Sequence, residues 1–318
     1  MSQNFINKKR QSPNFWARVK RFFCEPRTVL AHFLNMLAPY IKNDKFYLQI
    51  LWFLKTGRKI DLDNPQTFQE KLQWLKLYNQ KPIYTTLVDK YAVKDWIADV
   101  VGKEYLIRTI GIWDRFEDID LSTLPQKFVL KCTHDSGGLV ICRNKSSLDW
   151  DAVRKKIERC MKRHYYYSNR EWPYKDVKPR IIAEEYMEDA SGKELKDYKF
   201  FCFSGKAVYC QVIADRNTDE SIDFYDQEWN HQEFIGLLPT AHHSPTAHHS
   251  PTAYDKMWKM ADKIAAAVDS PFVRVDFYNI NKKIYFGEIT FYPASGMGTF
   301  RPEKWNQILG EMINLKNM

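Results

Sequence analysis

Four residues near the C-terminus combine types that handle phosphate and metal: Arg274, Asp276, Glu288 and Thr290. Side chains alternate along a strand, so Arg274 and Asp276 share one face of a segment at 272–278, and Glu288 and Thr290 share one face of a segment at 283–291. If these segments pair through the turn 279–282, all four converge. Two carboxylates and a hydroxyl are hard oxygen donors suited to Mg2+, and a guanidinium beside them stabilises negative charge on a phosphoryl group. A salt bridge on an ordinary hairpin fits the same pattern, and the cluster alone does not separate the two.

Three further features bear on phosphate or nucleotide binding. Lys131 stands in the apolar run 127–132, where a buried ammonium needs an answering charge such as a phosphate. Ser136, Gly137 and Gly138 follow in a turn whose backbone N–H groups can approach phosphate closely, although no Walker A or G-x-G-x-x-G pattern is present. Glu184, Glu185, Tyr186 and Met187 end another apolar strand, where backbone groups can meet an adenine edge. Asp197 and Lys199 share a face of the next strand, and Lys199 reaches either a phosphate or ribose, or a salt-bridge partner. Taken singly, each of these is also an ordinary strand end, turn or ion pair. A Ser-His or Cys-His nucleophile signature is absent.

The elements that must position these residues follow from periodicity and punctuation. Residues 46–100 have helical character, with Thr67 opening a segment that carries Phe68, Leu72 and Leu75, and with Asp89 to Trp96 starting another. Strands are expected at 105–110, 127–132, 139–142 and 178–187, a charged helix at 149–163, and a hairpin of 197–203 with 207–213. An amphipathic helix is expected over Tyr254–Val268, and a terminal helix after Pro302 over 303–315. Residues 240–253 hold the hexapeptide TAHHSP twice and then Thr-Ala, with four of the eight histidines. The pattern points to a repeat-expanded surface loop rather than a metal site.

Of the formal charge of +9, most lies in residues 1–27, where seven basic residues face only Glu25. The remainder is nearly balanced, which argues against a nucleic-acid surface on the folded body. Phe15, Trp16, Val19, Phe22 and Phe23 fall near one helical face among Arg18, Lys20 and Arg21, a pattern suited to an anionic membrane surface or to packing on the protein itself. No apolar run is long enough to span a bilayer, and the N-terminus lacks signal-peptide features, so a cytoplasmic protein, peripheral at the inner face of the plasma membrane, is expected. Six cysteines without a CxxC pair indicate buried free thiols. Three D-x-D triplets, Asp61/Asp63, Asp118/Asp120 and Asp149/Asp151, raise a glycosyltransferase as an alternative, and a non-catalytic nucleotide-binding scaffold is another.

The order of features, lysine strand, glycine loop, Glu-Glu-aromatic linker, second lysine strand, then R-x-D and E-x-T, resembles the ATP-grasp superfamily over roughly residues 86–310. The strings KPRIIAEEYM (178–187), DYKFFCF (197–203) and GEITFYPASGMG (287–298) resemble its TupA-like branch, named for teichuronopeptide biosynthesis and found among bacterial surface-polysaccharide genes. The resemblance implies an α+β ATP-grasp fold with two lobes clasping ATP and a helical N-terminal region. The implied organisation is an arm at 1–40, a mostly helical region at 41–125, a small lobe at 126–190 and a large lobe at 191–318. It further implies that Lys131 and the Ser136, Gly137 and Gly138 loop hold the ATP phosphates, with Lys90 or Lys94 as an earlier nucleotide-side lysine. Glu184, Glu185, Tyr186 and Met187 would form the adenine linker, and Asp197 and Lys199 would complete the nucleotide contacts. Asp276, Glu288 and Thr290 would be magnesium ligands, Thr290 replacing the asparagine of many ATP-grasp ligases, with Arg274 and Lys199 as catalytic cations. Ser295, Gly296, Met297 and Gly298, with Arg301, would hold the carboxylate substrate. The expected activity is ATP-dependent joining of a carboxylate to an amine through an acyl phosphate, on a sugar or polysaccharide precursor and an amino acid or amine.

Overall fold

A computed structural model of the chain describes residues 26–192, 194–216, 218–238 and 240–316. The expected amphipathic segment at 15–23 lies outside the described residues. The chain divides into a unit ending at Ile60 and a unit beginning at Asp61.

In the first unit, helix α1 (Pro26–Leu37) leads through a 3-10 turn to α2 (Asp44–Thr56). Asn43 starts α2 by accepting the Phe46 N–H at 2.9 Å, and Gly57 stops it in the left-handed region at φ 76°. Helix α1 buries Ala31 and Leu34, while Leu30, Phe33, Met36 and Leu37 stay exposed. Among the described residues no helix is long and apolar enough to cross a membrane.

The second unit opens with three helices, α3 (Phe68–Tyr78), α4 (Ile83–Val88) and α5 (Val93–Val100). The sequence signal at Thr67 is realised as a capping box, Thr67 and Glu70 satisfying each other's backbone N–H. A four-stranded sheet follows, made of β1 (Thr109–Trp113), β2 (Phe128–Cys132), β3 (Leu139–Cys142) and β4 (Ile181–Glu185), in the order β1-β4-β2-β3. Its pairings are antiparallel. Between β3 and β4 run α6 (Trp150–Met161), capped by Asp149, and the short α7 (Tyr165–Asn169). Phe128, Leu130 and Cys132 are buried on one face of β2 in a cluster with Val153 and Ile157 of α6, which leaves Lys131 on the other face.

A second antiparallel sheet holds β5 (Asp197–Phe203), β6 (Lys206–Ala214) and β7 (Ser221–Tyr225), then, beyond the two-residue β8 (Ile235–Gly236) and α8 (Tyr254–Val268), β9 (Phe272–Ile280) and β10 (Lys283–Thr290). Its order is β10-β9-β5-β6-β7. A two-residue strand β11 (Phe300–Arg301) pairs with β8, and α9 (Lys304–Glu311) closes the chain. One sheet face packs on α8, as the Phe200 contacts with Tyr254 and Trp258 show. The other face is divided along its length. Phe201, Phe203 and Phe272 surround Phe68 of α3 at one end, and charged residues occupy the other.

The architecture is thus the α+β, two-sheet arrangement that the motif order implies. Two expectations are corrected. The strand expected at 105–110 is a 3-10 turn over Lys103–Tyr105, with the strand beginning at Thr109, because pairing of Ile112 and Trp113 with Ile182 and Ile181 of β4 sets the register further along. The terminal helix spans Lys304–Glu311 rather than 303–315. Strand β7 was not anticipated.

Helix α9 meets the start of α3 at Gly310, where a Cβ would lie 2.3 Å from Gln66 O and 2.8 Å from Phe68 N. Backbone on both sides cannot retreat without parting the helices. Gly310→Ala should therefore destabilise the protein by about 1–3 kcal/mol, read as a lower urea midpoint. An unchanged midpoint would refute this close approach.

Candidate active site

The site is built first by strand register. In β9 and β10, Asp276 pairs with Glu288 and Arg274 with Thr290. Phe277 already pairs with Phe286, so Gly287 is an extra residue, a bulge that brings Glu288 opposite Asp276. The backbone passes close here: a Cβ at Gly287 would stand 3.1 Å from Asp276 O. On the other side of β9, Lys199 of β5 pairs with Asp276.

The convergence expected from the sequence is therefore met atom by atom. Arg274 Nε and Nη2 donate to Asp276 Oδ1 and Oδ2, each at 2.7 Å, and Nη2 also reaches Glu288 Oε1 at 2.8 Å and Thr290 Oγ1 at 3.0 Å. Lys199 Nζ donates to Asp276 Oδ2 and lies 3.5 Å from Asp197 Oδ1. Arg216, which carries no motif signal in the sequence, pairs with Asp197 Oδ2 at 2.8 Å. Burial, joined by the Glu288 carboxylate, pushes Asp276 up against the pull of Arg274 and Lys199. Enclosure also opposes charge on Glu288, but Lys199, Arg274 and Lys90 outweigh it and bring its pKa down to about 2. Arg274 is held charged above its ordinary range, its carboxylate neighbours overcoming burial. Two facing carboxylates held in place by fixed cations set oxygen donors side by side at this end of the sheet.

Of these residues Asp197, Lys199, Arg216, Asp276 and Glu288 line a cavity of about 300 Å3 together with Lys90, Lys94, Lys131, Ser136, Gly138 and Glu184, while Arg274, Thr290 and Gly137 are not part of the lining. Glu184 is buried and receives two ammonium groups, Lys131 Nζ at 2.6 Å and Lys94 Nζ. Burial opposes its charge, yet Lys131 and Lys94 together hold its carboxyl below the ordinary value. Burial pushes Lys90 and Lys94 down. Lys90 Nζ donates to Asp135 O at 2.7 Å, tying it to the glycine turn. That turn is pinned by His134 Nε2, close to Cys160 O and Arg163 O at 3.2 and 3.1 Å, and by the Gly137 N–H on Asp135 Oδ1 at 3.0 Å. Ser136 Oγ meets Tyr165 OH at 3.3 Å.

Some expected site residues lie elsewhere. The Glu184 side chain serves the lysines in the cavity wall, whereas Glu185, Tyr186 and Met187 run on from β4 and are not part of the lining; Tyr186 OH accepts from Arg143 Nε at 3.1 Å. Ser295, Gly296, Met297, Gly298 and Arg301 are also outside the lining. Their loop turns sharply, with Ala294 and Ser295 at φ 48° and 54°, a strained conformation for residues other than glycine. A polar stripe on α3 holds it: Gln69 Nε2 donates to Gly298 O at 2.8 Å, Gln73 Nε2 to Gly296 O at 2.7 Å and Lys76 Nζ to Ser295 O at 2.8 Å. Ser295 Oγ donates to the buried Glu171 at 2.8 Å, and Arg301 to Ala241 O. The stripe Gln69, Gln73, Lys76 was legible as i, i+4, i+7 spacing, but such spacing usually marks a solvated face.

The D-x-D triplets are absorbed locally. Asp61 accepts the N–H groups of Asp63 and Asn64, Asp120 that of Ser122, and Asp149 that of Ala152. None lines the cavity. The five described cysteines are free and buried as expected, and Cys24 lies outside the described residues.

Two sheets with lysines on one wall and a carboxylate-arginine floor on the other define an ATP-grasp protein. A family model described as TupA-like ATPgrasp matches residues 70–314, and the chain belongs to that family. Solved structures similar to this chain include the Bacillus anthracis D-alanine–D-alanine ligase complexed with ATP, at 16% identity over 65% of this chain and 54% of that one, with a TM-score of 0.38. The Helicobacter pylori D-alanine–D-alanine ligase is 12% identical over 73% of this chain and 64% of that one, at TM-score 0.39. The D-cycloserine synthetase DcsG is 15% identical over 73% and 72%, at TM-score 0.40. The chain spans about half the length of the Bacillus anthracis enzyme. No curated protein sequence matches it.

Because Glu184 carries its charge below the ordinary value of 4.5, the stability it contributes is complete above that pH and is lost as pH falls through the depressed folded-state value. Glu184→Gln leaves Lys131 and Lys94 without a counter-charge and should lower stability at pH 7 by about 2 kcal/mol. Urea melts should show the gap between wild type and variant closing below pH 4.5. A gap independent of pH would exclude the ion-pair account.

Proposed function

We propose that this protein is an ATP-dependent ligase that joins a carboxylate to an amine through an acyl phosphate. The observation that carries this reading is one cavity lined by Asp276 and Glu288, which Arg274 ties to each other, and by Lys90, Lys94 and Lys131. The donor set fits the expected cofactor, since two carboxylates and a hydroxyl offer the all-oxygen ligation that Mg2+ takes. Asp276, Glu288 and Thr290 would hold the ion, whose part is to neutralise phosphate charge. Lys131 and Lys90, with the Ser136 to Gly138 turn, would bind the ATP phosphates.

In the reaction, a carboxylate oxygen of the acceptor bonds to the γ-phosphorus and ADP leaves. The amine nitrogen then attacks the acyl carbon, phosphate departs, and the amine releases a proton. Such transfers depend mainly on positioning and charge neutralisation. Arg274, fixed by three partners, would steady the transferred phosphoryl group, and Lys199 would balance charge beside Asp276. The Ser295 to Gly298 loop, held by Gln69, Gln73 and Lys76, would receive the carboxylate substrate. Family membership supports a uronic acid or related sugar precursor of a surface polysaccharide as one substrate, and an amino acid or amine as the other.

ATP with Mg2+ should raise the thermal midpoint, and UDP-sugars should not. Asp276→Asn and Glu288→Gln should each abolish ADP release with the true substrates. Wild-type turnover in both variants would remove the metal assignment, and stabilisation by UDP-sugars alone would remove the ligase.

The exposed Leu30, Phe33, Met36 and Leu37 on α1 adjoin the basic segment 1–27, a combination that supports peripheral contact with an anionic membrane. Deleting residues 1–27 should release the protein from vesicles containing phosphatidylserine while sparing turnover. Undiminished vesicle sedimentation would count against the arm.

A further inference from the structure

The TAHHSP repeat does not lie apart from the sheet. Asp223 of β7 pairs with Val212, which pairs with Tyr198, which pairs with Phe277. Alternation therefore sets Asp223 on the opposite face of the sheet from Asp276, at the far edge. Asp223 is 2% exposed. Its Oδ1 lies 2.8 Å from His231 Nε2 and 2.9 Å from His243 Nδ1. Its Oδ2 accepts the Ser244 N–H at 3.1 Å and lies 3.2 Å from His248 Nε2.

We propose that Asp223, His231 and His243 form a binding site for a zinc-class divalent metal ion, with the remaining coordination positions open to water. The three ligand atoms all lie within 4.8 Å of one another. Around a tetrahedral ion with bonds near 2.0–2.2 Å, ligand atoms sit roughly 3.4 Å apart, so each of the two Asp223–imidazole distances has to open by about half an ångström, and the two imidazole nitrogens have to settle at the same spacing. Two imidazole nitrogens and one carboxylate oxygen suit Zn2+ better than Mg2+ or Ca2+. The imidazoles of His231 and His243 remain partly exposed, which gives an ion a path in.

His248 has a different part. Lys196 Nζ lies 3.1 Å from His248 Nδ1, and an ammonium can only donate, so Nδ1 accepts and the neutral ring carries its proton on Nε2. His248 thus carries its proton on Nε2, which lies 3.2 Å from Asp223 Oδ2 without meeting hydrogen-bond geometry. The Ser244 N–H holds Oδ2 and, with the His248 ring beside it, leaves Oδ1 for the metal, the usual work of groups behind the ligands. The first copy of the hexapeptide supplies His243 and Ser244, and the second supplies His248. His242 and His249 take no part in the cluster.

The alternative is a carboxylate clasp in which neutral imidazoles only donate to Asp223. Full-length protein without a tag, stripped by chelator, separates the two. Calorimetric titration with Zn2+ should give one ion per chain, and Co2+ should show the visible bands of a low-coordinate site. His243→Gln, a change in the loop, should abolish both signals while the melt stays cooperative, and Asp223→Asn should do the same. His248→Phe should weaken Zn2+ binding on the order of tenfold to a hundredfold. His249→Ala should leave it unchanged. Absence of Zn2+ binding, or binding retained by His243→Gln but lost on replacing His242 and His249, would overturn the proposal.

Discussion

The floor of the candidate active site depends on one buried guanidinium. Arg274 is 8% exposed and spends its fork on two carboxylates and a hydroxyl. Without it, the buried Asp276 would face the half-exposed Glu288 as a like charge, an arrangement that favours taking up a proton. A rigid planar donor answers both at once, which a lysine's point charge does not do. That geometry in turn requires the β9 and β10 register, and the register requires the Gly287 bulge. Sheet pairing, glycine placement and charge balance are therefore one constraint.

Sequence position along the same sheet face then separates packing from chemistry. Toward one end Phe201, Phe203 and Phe272 close on Phe68, and toward the other Lys199, Asp276 and Tyr278 line the cavity. Helix α3 serves both ends: Phe68 enters the aromatic cluster, while Gln73 and Lys76 hold the carbonyls of Ser295 and Gly296. Burial brings the Lys76 pKa down to about 8 despite Glu171 nearby, a sign of how enclosed this polar clamp is. On the opposite wall Glu184 balances the charges of Lys131 and Lys94, so a bound phosphate would exchange one anionic partner for another instead of entering an unpaired cluster of lysines.

Period-2 alternation makes the floor legible in the amino-acid sequence, because Arg274, Asp276, Glu288 and Thr290 need only one hairpin to meet. Lys131 is legible for the same reason, as a charge in an apolar strand. Helix α8 and the hairpin of β5 with β6 also follow from local pattern. What local pattern does not carry is pairing at a distance. Arg216 meets Asp197 from a loop, Glu184 faces two lysines across separate elements, and neither geometry leaves a spacing signature. Strand β7 is hidden because Ser221 and Asp223, polar in sequence, are buried. The repeat is the surface loop that its low complexity suggests, yet it sets His243, Ser244 and His248 against that buried aspartate, a contact no local pattern announces.

The two acidic clusters of this sheet differ in the chemistry of their donors, and the difference bears on how one protein would keep two ions apart. At Asp276 the donors are oxygens only, with fixed cations beside them, which suits an ion that arrives with phosphate and retains water. At Asp223 two imidazoles join a single carboxylate, and nitrogen donors favour a borderline ion held by the protein alone. Placement on opposite faces of the sheet would keep each ion out of the other's coordination shell. A zinc-class ion at the edge strand would fasten the repeat loop to β7, while magnesium would come and go with nucleotide across the sheet.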